Sequence, residues 1–345
     1  MSPNVILGGL FGWEFPAVMH DRLVPPWLQG RHLRLVNARS GLRLLAEHLQ
    51  PAKIWLPAYL CESILGGLAP FEGKLQFYPV DVTHNISSPE WLENVKAKDL
   101  VLVIDYFGWR PEKSLLDQIH GTGAYILEDA SQAILTAGVG KGADYSLYSP
   151  RKFVAVPDGG VLRAEGISSL PDVSLQQSPS TWWFQAFHAV MLRGEFDRHG
   201  GDRAWFKVFQ STENNSPIGS YGMSEFSDRA LQAAFAYEVI ASARIRNYHF
   251  LVDYLGEWAL RRNLPEGTVP LGFPIRISHR DKIRQRLFDC GVYPAIHWAI
   301  PAAVPAGFAD SRRLAAEIMT LPCDQRYGLD DMARMADIIR ETIRA

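Results

Sequence analysis

The feature that most constrains the fold is an alternation of short apolar runs with amphipathic stretches between Leu35 and Gly160. Parallel strands joined by crossover helices produce this pattern, because each buried strand is followed by a helix with one apolar face. The sequence therefore predicts an α/β fold with a mostly parallel sheet. A helix is predicted over residues 40–49, and strands over residues 53–56, 75–79, 100–104, 124–127 and 145–148.

The rest of the chain predicts a second, smaller unit, since 345 residues exceed one average domain. Residues 165–220 read poorly as regular structure apart from a helix over 182–192, and residues 226–260 have the spacing of one long linking helix. We expect a large domain over residues 1–240 and a small α+β domain over residues 241–345. In the small domain, strands are predicted over 273–277 and 293–298, and helices over 281–290 and 329–343.

Charge and cysteine usage exclude several classes of protein. The formal net charge is −2 and the basic residues are spread along the chain, so we expect no nucleic-acid partner. Cys61, Cys290 and Cys323 are too widely spaced for a zinc or disulfide pattern, which favours the cytoplasm and predicts no metal site. The N-terminus lacks a basic start, and no segment of about 18 residues is apolar throughout. We therefore expect neither export nor a membrane span.

The segment SLYSPRKFVAVPDGG, residues 146–160, presents Lys152 on a Ser-Pro turn after a predicted strand. A lysine that forms an imine with an aldehyde has to be held on a fixed turn, and its amine has to be neutral. The free side chain is charged at neutral pH, so a partly buried position near another positive charge, here Arg151, favours this chemistry. The alternative is that Arg151 and Lys152 form a solvated basic pair.

Two further segments contain groups suited to binding a charged cofactor. EDASQA, residues 128–133, places Asp129 at the carboxyl end of a predicted strand, where ligands of α/β sheets bind and a carboxylate can pair with a protonated ring nitrogen. Asp129 is alternatively a helix cap. In NARSG, residues 37–41, the N–H groups at a helix start favour a phosphate, although Ser40 is alternatively only an N-cap.

These three segments, in this order, resemble the DegT/DnrJ/EryC1/StrS family of pyridoxal-phosphate (PLP)-dependent sugar aminotransferases, and the resemblance extends over most of the chain. Residues 38–40 are similar to the small-residue turn that opens the family's first large-domain helix, and Lys152 keeps the family's spacing to an acidic-Gly-Gly turn at Asp158. The resemblance implies fold type I of the PLP-dependent transferases and a pyridoxal 5'-phosphate cofactor. Other similar segments are IWLPAYLCESIL, VIDYFG, LQAAFAYEVI, CGVYPAIHW and LPCDQRYGLDDMARMADII.

The resemblance also implies roles for single residues. Lys152 would be the Schiff-base and proton-transfer residue, Asp129 the partner of the pyridine nitrogen, and Gln132 a neighbour of the phenolic oxygen. Ala38 and Arg39 would bind the phosphate through their backbone N–H groups. The cofactor-binding residues so implied are Ala38, Arg39, Ser40, Tyr59, Cys61, Asp129, Gln132, Ser149, Lys152 and Ser227.

Some of these assignments keep an alternative. Cys61 and Tyr59 are both candidates to cover the cofactor ring, and Ser149 is either a phosphate ligand or a turn serine. Tyr106 and His297 are implied as substrate-binding residues, although a buried aromatic at a strand end is more often part of the core.

The chain departs from the family in two places. Many members carry an Asn-Tyr-Arg element that reaches the partner subunit's cofactor phosphate, whereas residues 222–231 read GMSEFSDRAL, and Ser224 or Ser227 is our candidate replacement. The arginine that commonly precedes the histidine in the family is also absent, and Ala295 stands near its place, whereas His297 is kept. The aromatic segment 182–187 is also distinctive, and we favour packing in a dimer interface over a substrate channel or a membrane surface.

Together these features predict an aminotransferase that moves an amino group from glutamate through PLP to a small-molecule substrate, a keto sugar carried on a nucleotide. We expect a homodimer with shared active sites. Family members that dehydrate their substrate have histidine at the lysine position, so Lys152 argues against that branch. Two alternatives stay open, which are a PLP enzyme that acts on an amino acid or acyl substrate, and a catalytically silent relative that serves as a binding module.

Overall fold

The computed structural model describes residue 11, residues 25–86 and residues 89–344. Its main sheet contains β1 (His32–Leu35), β2 (Ile54–Pro57), β3 (Leu75–Tyr78), β4 (Leu100–Ile104), β5 (Tyr125–Asp129), β6 (Tyr145–Tyr148) and β7 (Gly160–Ala164). The strand order is β1-β7-β6-β5-β4-β2-β3. Strands β2 to β6 are parallel, and β7 and β1 extend one edge in antiparallel pairs. This confirms the predicted α/β fold with a mostly parallel sheet.

The sheet brings the carboxyl ends of its central strands together. β2 and β4 are buried along their whole length, which explains their continuous apolar runs. Ile104 at the end of β4 is level with Asp129 at the end of β5, and Asp129 is level with Leu147 of β6. Side chains that follow these strands therefore meet at one edge of the sheet, where α/β proteins bind ligands.

Two residues at the start of α1 fix where the helix begins and how closely it packs on the sheet. The Asn37 side chain accepts the Ser40 N–H at 2.9 Å and so caps the helix start. A Cβ on Gly41 would lie 2.7 Å from Leu147 Cδ1, so the glycine permits close packing onto the sheet. The helices are α1 (Ala38–Leu49), α2 (Glu62–Leu68), α3 (Lys113–Gly121), α4 (Ser180–His199), α5 (Ala204–Asn214), α6 (Glu225–Ala233), α7 (Tyr237–Leu255), α8 (Arg280–Asp289), α9 (Ala309–Glu317) and α10 (Leu329–Arg344).

Residues 165–220 contain more regular structure than the sequence predicts. Helix α4 extends beyond the predicted residues 182–192 at both ends, and α5 lies in a segment that we expected to be irregular. The two helices pack against each other. Trp182 is buried whereas Phe184 is 64% exposed, so the apolar residues of α4 do not mark a single face. The sequence therefore lacks the helical periodicity that would have delimited α4.

The single long helix predicted over residues 226–260 is wrong, because α6 ends at Ala233 and α7 begins at Tyr237. No glycine or proline lies between them. The Tyr237 hydroxyl donates to the carbonyl oxygen of Leu231 at 2.6 Å, and its ring packs edge-on against Trp27 at 5.9 Å. Contacts from elsewhere in the fold thus stabilise a break that no local signal indicates.

The C-terminal part contains an antiparallel pair, β8 (Phe273–Arg276) and β9 (Ile318–Leu321), with α10 packed against α7 and α8. The helices predicted over 281–290 and 329–343 are present as α8 and α10. The strand predicted over 293–298 is wrong, since Ala295 forms an isolated bridge to Thr320 instead. The division of the chain between residues 240 and 241 stays a prediction, and α7 crosses that position.

The expectation that the chain has no leader concerns residues that are mostly outside the described part. Of residues 1–15, the structure describes Phe11, which is buried. In the ranges 25–86 and 89–344, no helix combines the length and the apolar character needed to cross a membrane.

Candidate active site

A cavity of about 100 Å³ lies at the carboxyl edge of the sheet. Its wall is formed by the start of α1, the loop after β2, the end of β5, the turn after β6 and the end of α5. It brings together several of the site residues predicted from widely separated segments, namely Ala38, Arg39, Cys61, Asp129, Gln132, Ser149 and Lys152.

Lys152 is half-buried on a short 3-10 turn that directly follows β6. Its N–H donates to the Ser149 carbonyl at 3.1 Å, and the next residue, Phe153, is fully buried and anchors the turn. The neighbouring Arg151 side chain is 14% exposed and forms an ion pair with Glu213. The two residues are therefore not a solvated basic pair, and Lys152 is presented to the cavity on a fixed support.

Asp129 ends β5 and is 7% exposed. Its Oδ1 accepts the Ser131 N–H at 2.9 Å. A turn rather than a helix follows β5, so Asp129 is not the helix cap of the alternative interpretation. Its backbone carbonyl also accepts the Asp105 N–H at 3.1 Å, which fixes the strand end. The structure thus places a nearly buried carboxylate in the wall that contains Lys152.

Gln132 is a buried polar residue of the cavity wall. Its Oε1 accepts the Phe107 N–H at 2.7 Å, which orients the amide and leaves Nε2 as a donor. This Nε2 is buried and has no hydrogen-bond partner among the described residues. A buried donor without a partner costs about 1–3 kcal/mol, and an acceptor atom placed against this N–H would recover that free energy.

The first turn of α1 reaches the cavity because a glycine lies behind it. A Cβ on Gly160 would lie 2.2 Å from the Asn37 carbonyl carbon and 2.4 Å from the Ala38 nitrogen, so no other residue fits there. The leading N–H groups of a helix have no acceptor within the helix and attract a phosphate. Ser40 is fully buried and its hydroxyl accepts the Gly219 N–H at 3.2 Å, so its side chain faces away from the cavity wall.

Ser227 lies in a separate buried cluster around Asp158. The Asp158 carboxylate accepts the N–H and the hydroxyl of Ser224, each at 2.6 Å, and the hydroxyl of Ser227. This cluster holds the turn that precedes Gly160, and Ser227 does not line the cavity. The predicted contact of Ser227 with the partner subunit's phosphate stays a prediction.

Of the two candidates for covering a cofactor ring, Cys61 lines the cavity and Tyr59 does not. Tyr59 is fully buried, its hydroxyl donates to the His297 carbonyl, and burial raises its pKa well above the usual value. Trp298, which the sequence analysis did not single out, also lines the cavity, and its ring centroid lies 5.8 Å from that of Tyr59. The hydroxyl of Tyr106 donates to the Tyr59 carbonyl, so these rings form a layer behind the wall.

His297 lies close enough to the cavity to interact with Lys152. Its Nδ1 is 2.9 Å from Thr320 Oγ1. Desolvation by the surrounding protein, together with the positive charge of Lys152, lowers the pKa of His297 to about 3. The imidazole is therefore neutral at physiological pH and can act as a hydrogen-bonding group rather than as a counter-ion.

A second cavity of about 290 Å³ adjoins the first at Ile104, which lines both. Its wall includes Tyr106, His84 and Arg261, but it contains no lysine and no residue of the α1 start among the described residues. The group needed for covalent chemistry is thus confined to the smaller cavity.

Sequence reasoning also missed Glu213 in the cavity wall. It lies near the end of α5, in the segment that was expected to be irregular. The run AWFKVFQSTEN begins with apolar residues and continues with polar ones, so it gave only a weak helical signal. Recognising α5 would have placed this carboxylate on a regular element, but not against the cavity.

Comparisons with solved structures identify the fold. No family model and no curated protein matches the sequence. Among solved structures, a DegT DnrJ EryC1 StrS aminotransferase from Brucella abortus is 17% identical, with a TM-score of 0.64 and coverage of 92% of this chain and 87% of that one. Helicobacter pylori PseC, an aminotransferase involved in pseudoaminic acid biosynthesis, is 15% identical, with a TM-score of 0.67 and coverages of 91% and 87%.

The PLP form of a sugar aminotransferase from Streptococcus pneumoniae, described as putative, is 13% identical, with a TM-score of 0.66 and coverages of 91% and 87%. At these identities the likeness shows the fold, which is that of fold type I PLP-dependent aminotransferases. The resemblance found in the sequence motifs is therefore confirmed at the level of the fold.

Proposed function

We propose that the chain is a PLP-dependent aminotransferase that transfers an amino group from glutamate to a keto sugar, the sugar being linked to a nucleotide. The observation that carries the proposal is the unpartnered Nε2 of Gln132 in the cavity that also contains Lys152 and Asp129. This set of groups matches PLP, which has an aldehyde, a pyridine nitrogen and an acceptor oxygen beside the aldehyde. The amino acid or acyl alternative has no specific support, and the intact set argues against a silent relative.

The described residues can hold each part of such a cofactor. The N–H groups of Ala38 and Arg39 and the Ser149 hydroxyl would bind the phosphate, Asp129 would pair with the ring nitrogen, and Gln132 Nε2 would donate to the phenolic oxygen. When bound, PLP supplies a carbonyl carbon for the amine and a ring that accepts electrons.

The chain itself then has to move one proton. Lys152 lines the cavity, and its Nζ would take the proton from the amino-bearing carbon of the donor and return it at the 1,3-related carbon, which is the one that the cofactor supplies. Neutral His297 is our candidate for a hydrogen bond to the substrate. The lowered pKa of His297 supports this proposal, because a neutral imidazole can donate or accept a hydrogen bond. The Tyr106 hydroxyl donates to the Tyr59 carbonyl and Tyr106 lines the adjoining cavity, so its predicted contact with the substrate stays a prediction.

An amino-donor half-reaction tests the proposed function. Protein loaded with PLP is expected to change its visible absorbance when L-glutamate is added, because the amino group moves to the cofactor, and to release one equivalent of 2-oxoglutarate. D-glutamate is the matched control and should leave the spectrum unchanged. Bound PLP with no spectral response to any amino donor would contradict the aminotransferase and favour the silent relative.

We also propose a homodimer, located in the cytoplasm. Trp183 stacks on Phe187 at 5.4 Å, Phe187 packs against Phe226 at 5.1 Å, and Phe184 beside them is 64% exposed. An apolar surface of this kind supports burial against a second copy. The free thiols of the cysteines support a reducing compartment.

Sedimentation velocity at micromolar concentration checks the dimer, which should show twice the chain mass of 38.7 kDa. Phe184→Glu is expected to shift the population towards monomer, since it places a charge in the proposed interface. Val239→Glu, at a 65% exposed apolar residue on α7, is the control and should sediment as the unmodified protein does. A monomer with full PLP occupancy would contradict the proposal.

A further inference from the structure

Two guanidinium groups converge on one carboxylate in the wall of the active-site cavity. Arg39 Nη2 lies 3.8 Å from Glu213 Oε2, and both Arg39 Nη atoms lie 3.4 Å from the Glu213 carbonyl oxygen. Arg151 Nη2 forms an ion pair with Glu213 Oε1. All three residues line the cavity that contains Lys152. The single carboxylate therefore faces two arginines in the wall of this cavity.

The charges in this cluster do not balance. Burial alone would raise the pKa of Glu213, but Arg151, Arg39 and Lys152 together hold that pKa below its usual value. Glu213 is therefore ionised at neutral pH and offsets only part of the surrounding positive charge. An anionic ligand would be attracted to the remainder.

The hydrogen bonds of Arg151 are also incomplete. Its side chain is 14% exposed, and its Nε is buried without a partner among the described residues. The planar guanidinium is suited to an oxyanion that accepts two parallel bonds from its Nε and Nη groups. Glu213 engages Nη2 and leaves Nε unpaired, so it is an imperfect ligand for Arg151.

Glu213 is the most exposed member of this cluster. It lies near the end of α5, and its side chain is 36% exposed, in contrast to 19% for Arg39. A rotation of the side chain would expose the carboxylate to water, where it is well solvated, while the arginines stay fixed by α1 and by the turn before Lys152.

We propose that Arg39 and Arg151 form an oxyanion-binding subsite for a carboxylate or phosphate group of the substrate, and that Glu213 occupies this subsite as an internal competitor until the substrate replaces it. The inference rests on the proposed function, because it assumes that the cavity receives an anionic small molecule. It makes Glu213 a residue that sets how strongly anionic substrates bind.

Anion titration of the PLP-loaded protein tests the subsite by calorimetry, with succinate and inorganic pyrophosphate as probes. Glu213→Gln is expected to tighten the binding of at least one probe about tenfold or more, because it removes the competing charge and keeps the shape. Glu225→Gln removes an exposed carboxylate that pairs with Arg229, and it should leave both affinities unchanged. If Glu213→Gln tightens succinate binding more, the subsite binds a substrate carboxylate. If it tightens pyrophosphate binding more, the subsite binds a substrate phosphate.

Arg151→Lys in the Glu213→Gln background completes the test, since lysine keeps the charge and lacks the planar fork. This double variant should bind the probe about tenfold more weakly than Glu213→Gln does. Thermal unfolding checks that each variant folds. Equal affinities in the unmodified protein and Glu213→Gln would overturn the proposal. Probes that bind only after PLP is removed would also overturn it, because the arginines would then hold the cofactor's phosphate. PLP occupancy, read from absorbance, separates either result from a failure of the proposed function.

Discussion

Lys152→Ala is expected to abolish turnover while leaving PLP bound without a covalent link. Lys152 is the lysine of the cavity wall, and the groups proposed to hold the phosphate and the ring belong to other elements of the fold. The loss should exceed about 10⁴-fold, because covalent attachment and proton transfer disappear together. Turnover of PLP-loaded protein measures the first effect, and equilibrium dialysis of PLP measures the second.

Borohydride labelling gives this prediction a direct readout. Reduction of the unmodified protein should fix PLP to Lys152, and peptide mapping should find the label there. Lys282→Ala changes an exposed lysine on α8 and serves as the control, which should retain both turnover and the label. A label on another lysine, or a Lys152→Ala protein that is still labelled, would show that the assignment is wrong.

The elements that could be predicted are those whose burial produces a pattern within their own sequence. The runs over β2 and β4 are apolar throughout because both faces of these strands are covered, so the sequence marks them directly. The break between α6 and α7 has no glycine, proline or other local sequence signal. Tyr237, the first residue of α7, packs against Trp27, which is about 210 residues away in the sequence.

The same division applies to the candidate site. Lys152, Asp129 and Gln132 lie in short segments at strand ends, so motif and position were enough to select them. Glu213 and Trp298 reach the cavity from elements that are remote in sequence, and nothing local indicates where their side chains lie. Ser40 and Ser227 illustrate the converse, because their hydroxyls bond within the fold and not at the cavity wall.

The surroundings of Asp129 explain why its charge should matter more than that of the carboxyl groups beside it. Burial raises the pKa of Asp105 well above its usual value, and the nearby Glu128 carboxylate raises it further, so the neutral form of Asp105 is favoured. Glu128 is fully buried, pairs with Arg110 at 2.6 Å and accepts the Gly140 N–H at 2.7 Å. Asp105 is thus shifted towards its neutral form and Glu128 is paired, whereas Asp129 lines the cavity.

Asp129→Asn is accordingly expected to lower turnover by about a thousandfold or more, equivalent to about 4 kcal/mol in the activation free energy, with the fold retained. An amide cannot form an ion pair with a protonated ring nitrogen, so the ring would accept electrons less well. Single-turnover rates with L-glutamate measure the loss. Asp105→Asn is the matched control, because the same change in a neighbouring carboxyl whose neutral form is favoured by burial should keep the rate within about tenfold. Near-normal half-reaction rates in Asp129→Asn would refute the role of Asp129, and an equal loss in both variants would indicate a general disturbance of the strand ends.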